Sequence, residues 1–509
     1  MVWPPVTMAT QHPDNASVPW WRQDAFIPTQ DEIDELLLLF QELPIDEYMW
    51  DWEGKYVDEA VGEKLFSRAQ EFFHKKPLGE EVHLTYRIPA WDSGRTHRAA
   101  RAFMNILSLG DLAKEIGLPR PPVTEMFLPL TTSAEQPIEA LRAFRETADE
   151  HRSVFHQKRE DEHHLYDRTF VTPLVEDIDS LFGIEKILAP YWQQLISEGK
   201  NLRERGQRIF LARSDPAMNS GLVPAVLAVR AALSAADTLA ERMGFAVHPI
   251  LGTGSLPFRG SVNPTYTKTF LDQYAGTRTY SIQSAFRYDY RLEDVRRALT
   301  EIRDEAPRRS VQRISSADLQ KLRELADLFV TCWKPAIEAM APLINQVARF
   351  IPPRRERLLH IGLFGYSRGI GAVKLPRAIG FTCAFYSLGV PPELIATGRG
   401  LKAAKEKNLL PLLERHYPAL RADLQHAGKF LNRENLDLLA RDSEAFREVK
   451  TDVTAIEEIL GVTLGPEKPH HIIHRNITST IFQRLHGAPD PEAIERDIVE
   501  AGTIRCSLG

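Results

Sequence analysis

Two carboxylates stand out because each directly follows an apolar, β-branched run. Glu176 comes after TFVTPLV and Asp215 after FLARS. Carboxylates at the ends of successive strands can converge on one divalent cation, and hard oxygen donors that leave room for water suit Mg2+ or Mn2+. The same residues could instead cap the helices that follow: Asp215-Pro216 has the form of an N-cap with proline in the first turn. Arginines form a second group. Arg87, Arg259, Arg368 and Arg377 lie in or beside segments rich in Gly, Pro or Ser, among them GTGSLPFRGS and GYSRGIGAVKLPR. A planar, permanently charged fork among glycines that let backbone N–H groups approach suits capture of phosphate or carboxylate. These segments lack the spacing of a dinucleotide fingerprint or a P-loop. His12, in TQHPDN, is a candidate proton acceptor near neutral pH, although a lone histidine in a turn is more often structural. His163-His164 and His470-His471 are adjacent residues that point in different directions on a helix or strand, so both pairs read as surface. No Gly-x-Ser-x-Gly elbow occurs.

The elements that must position these residues alternate along the chain. Candidate strands occupy 6–11, 83–88, 124–130, 169–175, 208–213, 247–251, 279–283 and 360–364, with amphipathic stretches such as 135–150, 180–198, 221–243 and 292–304 between them. Strands alternating with helices imply parallel βα units, and eight of them predict an α/β fold, a (β/α)8 TIM-like barrel with many additional helices. The whole chain, 1–509, reads as one elaborated barrel domain. Helical insertions are expected near 31–75 and 316–348, and a helical layer near 400–509. Polar groups collect just past the proposed strands, where barrel enzymes build their sites.

Composition narrows the class. The 509 residues carry 63 Lys+Arg against 69 Asp+Glu, a net charge of −6, which disfavours a nucleic-acid binder. Three cysteines (Cys332, Cys383, Cys506) are too few for a disulfide framework or a thiolate metal site. Neither a secretory leader nor an apolar run of membrane-spanning length is evident, so a cytoplasmic enzyme is expected.

ATQHPDN, TEMFLPLTTSAEQ, ARSDPAMNSGL and GLFGYSRGIGAVKLPRAIGFTCAFYSLGVPPELIATGRG resemble the archaeal-type phosphoenolpyruvate carboxylases, from about residue 8 to the C-terminus. Several motifs are also similar to those of the longer bacterial and plant carboxylases. TQHPDN resembles TAHPT, which implies a catalytic role for His12. TYRIPAWDS resembles DIRQES and implies that Arg87 binds substrate. VTPLVEDIDSL and ARSDPAMNSG resemble VVPLFETLDDL and GYSDSAKDAG, which carry the metal carboxylates onto Glu176 and Asp215. YSRGIG and LPRAIGF resemble GSRPAKR and SLRAIPW, which implies that Arg368 and Arg377 bind substrate. Two departures accompany these matches. The glycine-rich loop GTGSLPFRGS keeps only the second of two arginines, Arg259, and Met218 replaces a lysine. The resemblance implies a carboxy-lyase that joins bicarbonate to phosphoenolpyruvate with Mg2+ or Mn2+, giving oxaloacetate and phosphate through carboxyphosphate and pyruvate enolate. It also implies a homotetramer. Two other readings remain at this point: another barrel enzyme of phosphoenolpyruvate or pyruvate (a phosphotransferase or aldol-type lyase), and a non-catalytic helical scaffold.

Overall fold

The computed structural model describes residues 3–91, 96–155, 168–356, 369–370, 373–487 and 489–509. Eight parallel strands close into a barrel in sequence order: β1 (Thr7–Thr10), β2 (Glu47–Asp51), β3 (His83–Arg87), β4 (Glu125–Leu128), β5 (Phe170–Val175), β6 (Gln207–Ala212), β7 (Val247–Gly252) and β8 (Thr279–Ile282). Closure is made by β1 against β8, with Met8 opposite Ser281. Seven of the strands fall where the sequence placed them. The eighth is a correction. Residues 31–75 do not form a purely helical insertion, because helices Glu32–Glu42 and Val61–Lys75 flank β2. The expected strand at 360–364 lies outside the described residues, and the barrel closes without it.

Strand β2 shows how the period of two builds the barrel. Glu47, Met49 and Asp51 face inward, where Glu47 meets Arg208, Met49 joins the interior cluster with Met8, Phe127, Leu174, Phe210 and Ile250, and Asp51 meets Arg87. Tyr48 and Trp50 face outward into the core shared with the surrounding helices. One pentapeptide thus supplies the floor, the middle and the top of the barrel.

A second hydrophobic core lies among the later helices. Its axis is Ser316–Ala348, a single 33-residue helix whose N-cap, Ser315, accepts from Asp318 N at 3.1 Å. The layer continues through Ala378–Ser387, Thr397–Glu406, Leu410–His416, Leu420–Gly428, Arg433–Asp442, Glu444–Leu460, Pro469–His486 and Pro491–Arg505. Helix Leu222–Met243 joins the two cores: its first turns pack into the helical layer and its later turns against the barrel. Among the described residues it is the one helix long and apolar enough to cross a membrane, and 89% of its most apolar window is buried inside the protein. Burial on both sides accounts for that composition.

Candidate active site

The carboxyl ends of the strands open into a pocket. His12, Arg87, Glu176, Asp215, Arg259 and Arg377 all line it, from β1, β3, β5, β6, the loop after β7 and the start of helix Ala378–Ser387. Arg368 lies outside the described residues, as do His163 and His164.

Each side chain is held by identifiable partners. The Nδ1 of His12 lies 2.9 Å from Thr10 Oγ1, which orients the ring two residues past the strand. Arg87 donates Nε to Asp51 Oδ1 at 2.9 Å and Nη2 to Oδ2 at 2.5 Å, a bidentate pair across neighbouring strands. Asp51 also accepts from Glu53 N at 3.0 Å, which turns the following loop back over the pocket. Burial alone would raise the Asp51 carboxyl, but the Arg87 guanidinium, helped by His12 and Arg377, holds it well below the usual carboxylate range. Arg377 reaches the same place. A Cβ on Gly54 would sit 3.0 Å from Arg377 Nη1 and 3.6 Å from Asp51 Oδ2, so glycine there lets the guanidinium lie against the loop. Burial and the nearby Arg87 push Arg377 below its ordinary value, against the pull of Asp51, Glu53 and Glu176.

Arg259 is 1% exposed and its fork is almost fully engaged. Nε donates to Ser214 Oγ at 3.2 Å, Nη1 to Asp14 Oδ2 at 3.0 Å and to Gly509 O at 2.5 Å, and Nη2 to Gln283 Oε1. Of five N–H donors, these bonds leave one for a ligand. Asp14 is in turn fixed by Ala285 N, which donates to its Oδ1 at 2.7 Å. Gly254 must also be glycine, since a Cβ there would lie 2.6 Å from Arg259 Cζ.

The capping alternative for the two carboxylates fails. After β5 the cap is Asp177, which accepts from Ser180 N at 2.8 Å, and Glu176 is turned to the pocket. Helix Ser214–Ser220 has no side-chain cap, and Asp215 sits inside its first turn. Among the described residues no group of three or more His, Cys, Asp or Glu is placed to hold a metal. Glu176 and Asp215 are the two pocket carboxylates that could, and two hard donors with open positions fit a divalent ion that also takes water and substrate oxygens.

A family profile described as phosphoenolpyruvate carboxylase matches residues 5–509. The chain belongs to the phosphoenolpyruvate carboxylase family. Similar curated proteins of that name include one from Metallosphaera sedula, 36% identical with 99% of each chain covered, and one from Caldivirga maquilingensis at the same identity and coverage. Another, from Leuconostoc mesenteroides, is 34% identical over 95% of each chain. The match follows the main expectation rather than the phosphotransferase, aldol-type lyase or scaffold alternatives.

Asp51, Glu53 and Gly54, which stand behind the pocket's arginines, carried no expectation from sequence, whereas Asp14 and Gln283 were expected only as polar groups just past their strands. A signal existed for Asp51 and Glu53, two carboxylates bracketing a tryptophan just before a glycine. One expectation needs correcting. His470 is exposed, but His471 is buried, and its Nδ1 accepts from Lys468 N at 3.2 Å as part of a helix cap.

Proposed function

We propose that this chain joins bicarbonate to phosphoenolpyruvate at the pocket above the barrel, with the family's reaction divided among its residues as follows. Arg87, Arg368 and Arg377 bind phosphoenolpyruvate through its phosphoryl and carboxylate oxygens. A bicarbonate oxygen attacks phosphorus, the bond from phosphorus to the enol oxygen breaks, and carboxyphosphate and pyruvate enolate result. Arg368 and Arg377 offset the charge that develops on the phosphoryl oxygens. His12 then takes the carboxyphosphate proton as it breaks down to CO2 and phosphate, and C3 of the enolate attacks the CO2 to give oxaloacetate. Arg259 holds the carboxylating species against the enolate with its remaining donor. Glu176 and Asp215 hold Mg2+ or Mn2+, which when bound supplies a Lewis acid beside the negative charge of substrate and intermediate.

The observation that carries this reading is the convergence of six chemically matched side chains, from six separate segments, on one pocket. The test is a coupled assay of oxaloacetate formation with and without bicarbonate. Oxaloacetate that appears only with bicarbonate supports the reading, and phosphate release indifferent to bicarbonate refutes it. We further propose a homotetramer working in the cytoplasm, which native mass measurement and cell fractionation test.

A further inference from the structure

The loop of residues 253–263 carries Arg259, and its backbone is braced within itself, with Gly254 N donating to Arg259 O at 2.8 Å and Val262 N to Gly254 O at 3.0 Å. Gly260 has φ of +119° and Ser261 of +61°, and Ser261 is a non-glycine residue in the left-handed region. Side-chain grips on both sides of Arg259 are added from outside the barrel. On one side of Arg259, Phe258 N donates to Glu393 Oε1 at 2.8 Å, and the same oxygen accepts from Tyr386 Oη at 2.8 Å. On the other side, Ser261 Oγ donates to Asp423 Oδ1 at 2.7 Å, while Tyr417 Oη donates to Asp423 Oδ2 at 2.7 Å. The Phe258 ring is seated between Trp333 and Phe381, with centroids 5.7 Å from each.

Glu393 is 0% exposed and Asp423 5%, and they come from different elements of the helical layer, the turn Pro392–Leu394 and the helix Leu420–Gly428. Buried carboxyls are costly compared with apolar side chains of similar size. What they supply that an apolar side chain cannot is a directional acceptor. Both acceptors are aimed at the residues that flank Arg259.

We propose that Glu393 and Asp423 are positioning residues for carboxylation, clamping the loop so that the Arg259 guanidinium meets the carboxylating species beside the enolate. This rests on the role given to Arg259 above. It assigns the helical layer a part in the second half-reaction, and it sets bicarbonate handling apart from phosphoenolpyruvate capture, which belongs to Arg87 and Arg377 on the opposite wall.

The experiment compares purified full-length Glu393→Ala, Glu393→Gln, Ser261→Ala and Arg259→Lys. It reads the KM for each substrate and the ratio of oxaloacetate to pyruvate formed. Losing the acceptor for a buried N–H should raise the bicarbonate KM of Glu393→Ala by roughly tenfold, with the phosphoenolpyruvate KM within about twofold of the parent. The pyruvate share should rise, because enolate waits for a misplaced CO2. Glu393→Gln, whose amide oxygen accepts the same N–H, should restore both readouts. Ser261→Ala keeps the backbone strain and removes one grip, so it should move both readouts in the same direction by less. It is the deciding variant if Glu393→Ala does not fold. Unchanged bicarbonate KM and product ratio in the folded variant overturns the proposal, and so does a parallel rise in both KM values. Arg259→Lys with ordinary bicarbonate KM and product ratio also overturns it, by showing that the role of Arg259 itself is wrong.

Discussion

The two ends of the barrel use the same building block for opposite purposes. At the amino end Arg208 donates to Glu47 at 2.6 and 3.0 Å and to Glu125 at 3.0 Å, with Arg205 adding a contact to Glu125 at 3.2 Å. The side chains of Arg208, Glu47 and Glu125 are at most 2% exposed, so the cluster is a sealed plug. At the carboxyl end the pairs Arg87–Asp51 and Arg259–Asp14 are also buried, but their arginines line a cavity beside the half-buried His12, Asp215 and Arg377. A buried arginine–carboxylate pair is therefore not in itself a sign of chemistry. The difference lies in whether the fork, once anchored, still faces space that a ligand can enter.

Substitutions at the two ends should separate cleanly. At the open end, His12→Asn should lower oxaloacetate formation by about 10²–10⁴-fold. Bicarbonate-dependent release of phosphate and pyruvate should survive, and the urea midpoint should match the parent. Normal oxaloacetate yield would remove His12 from the chemistry. At the sealed end, Arg208→Ala leaves Glu47 as an uncompensated buried charge and Glu125 with Arg205 alone, so stability should fall by about 3–5 kcal/mol in urea titration. Both KM values of the surviving folded protein should be unchanged. A large rise in either would mean that the plug reaches the site. Arg377→Lys keeps the charge and loses the planar fork, so the phosphoenolpyruvate KM should rise by roughly tenfold. A KM equal to the parent's would return Arg377 to a packing role.

The smallest effect concerns pH. Burial first of all pushes the Glu393 carboxyl up from its ordinary 4.5 to about 7. A raised folded value means the folded protein favours the protonated acid, so this contribution is complete below about 4.5 and lost as pH rises through about 7. Glu393→Gln cannot ionise and should flatten most of the decline in stability between those two values. A decline as steep as the parent's would place its origin elsewhere.

Seven strands and the outward position of the chemistry were legible in sequence because apolar runs followed by polar turns are local signals. Strand β2 was not. EYMWD begins and ends in acidic residues, and it lies between two amphipathic helices, Glu32–Glu42 and Val61–Lys75, so the helical reading of 31–75 extends across it. Those two acids are inward residues at opposite ends of the barrel, each matched to an arginine far away in sequence, so their meaning is wholly tertiary. Arginines in glycine-rich segments could be picked out by type and company. Of their anchors, Asp14 and Gln283 stood out only as polar residues past a strand and Asp51 not at all, because an anchor is defined by what it touches.

Contacts across the Arg259 loop also impose an order on the making of the enzyme. All eight strands precede residue 283, yet Phe258 is gripped by Glu393, 135 residues later, and Ser261 by Asp423, 162 residues later. Gly509, 250 residues beyond Arg259, bonds its side chain directly. During synthesis all eight strands therefore emerge before the partners that grip the Arg259 loop. On the role proposed for Arg259, competence in the second half-reaction would arrive only once the helical layer has docked on this loop.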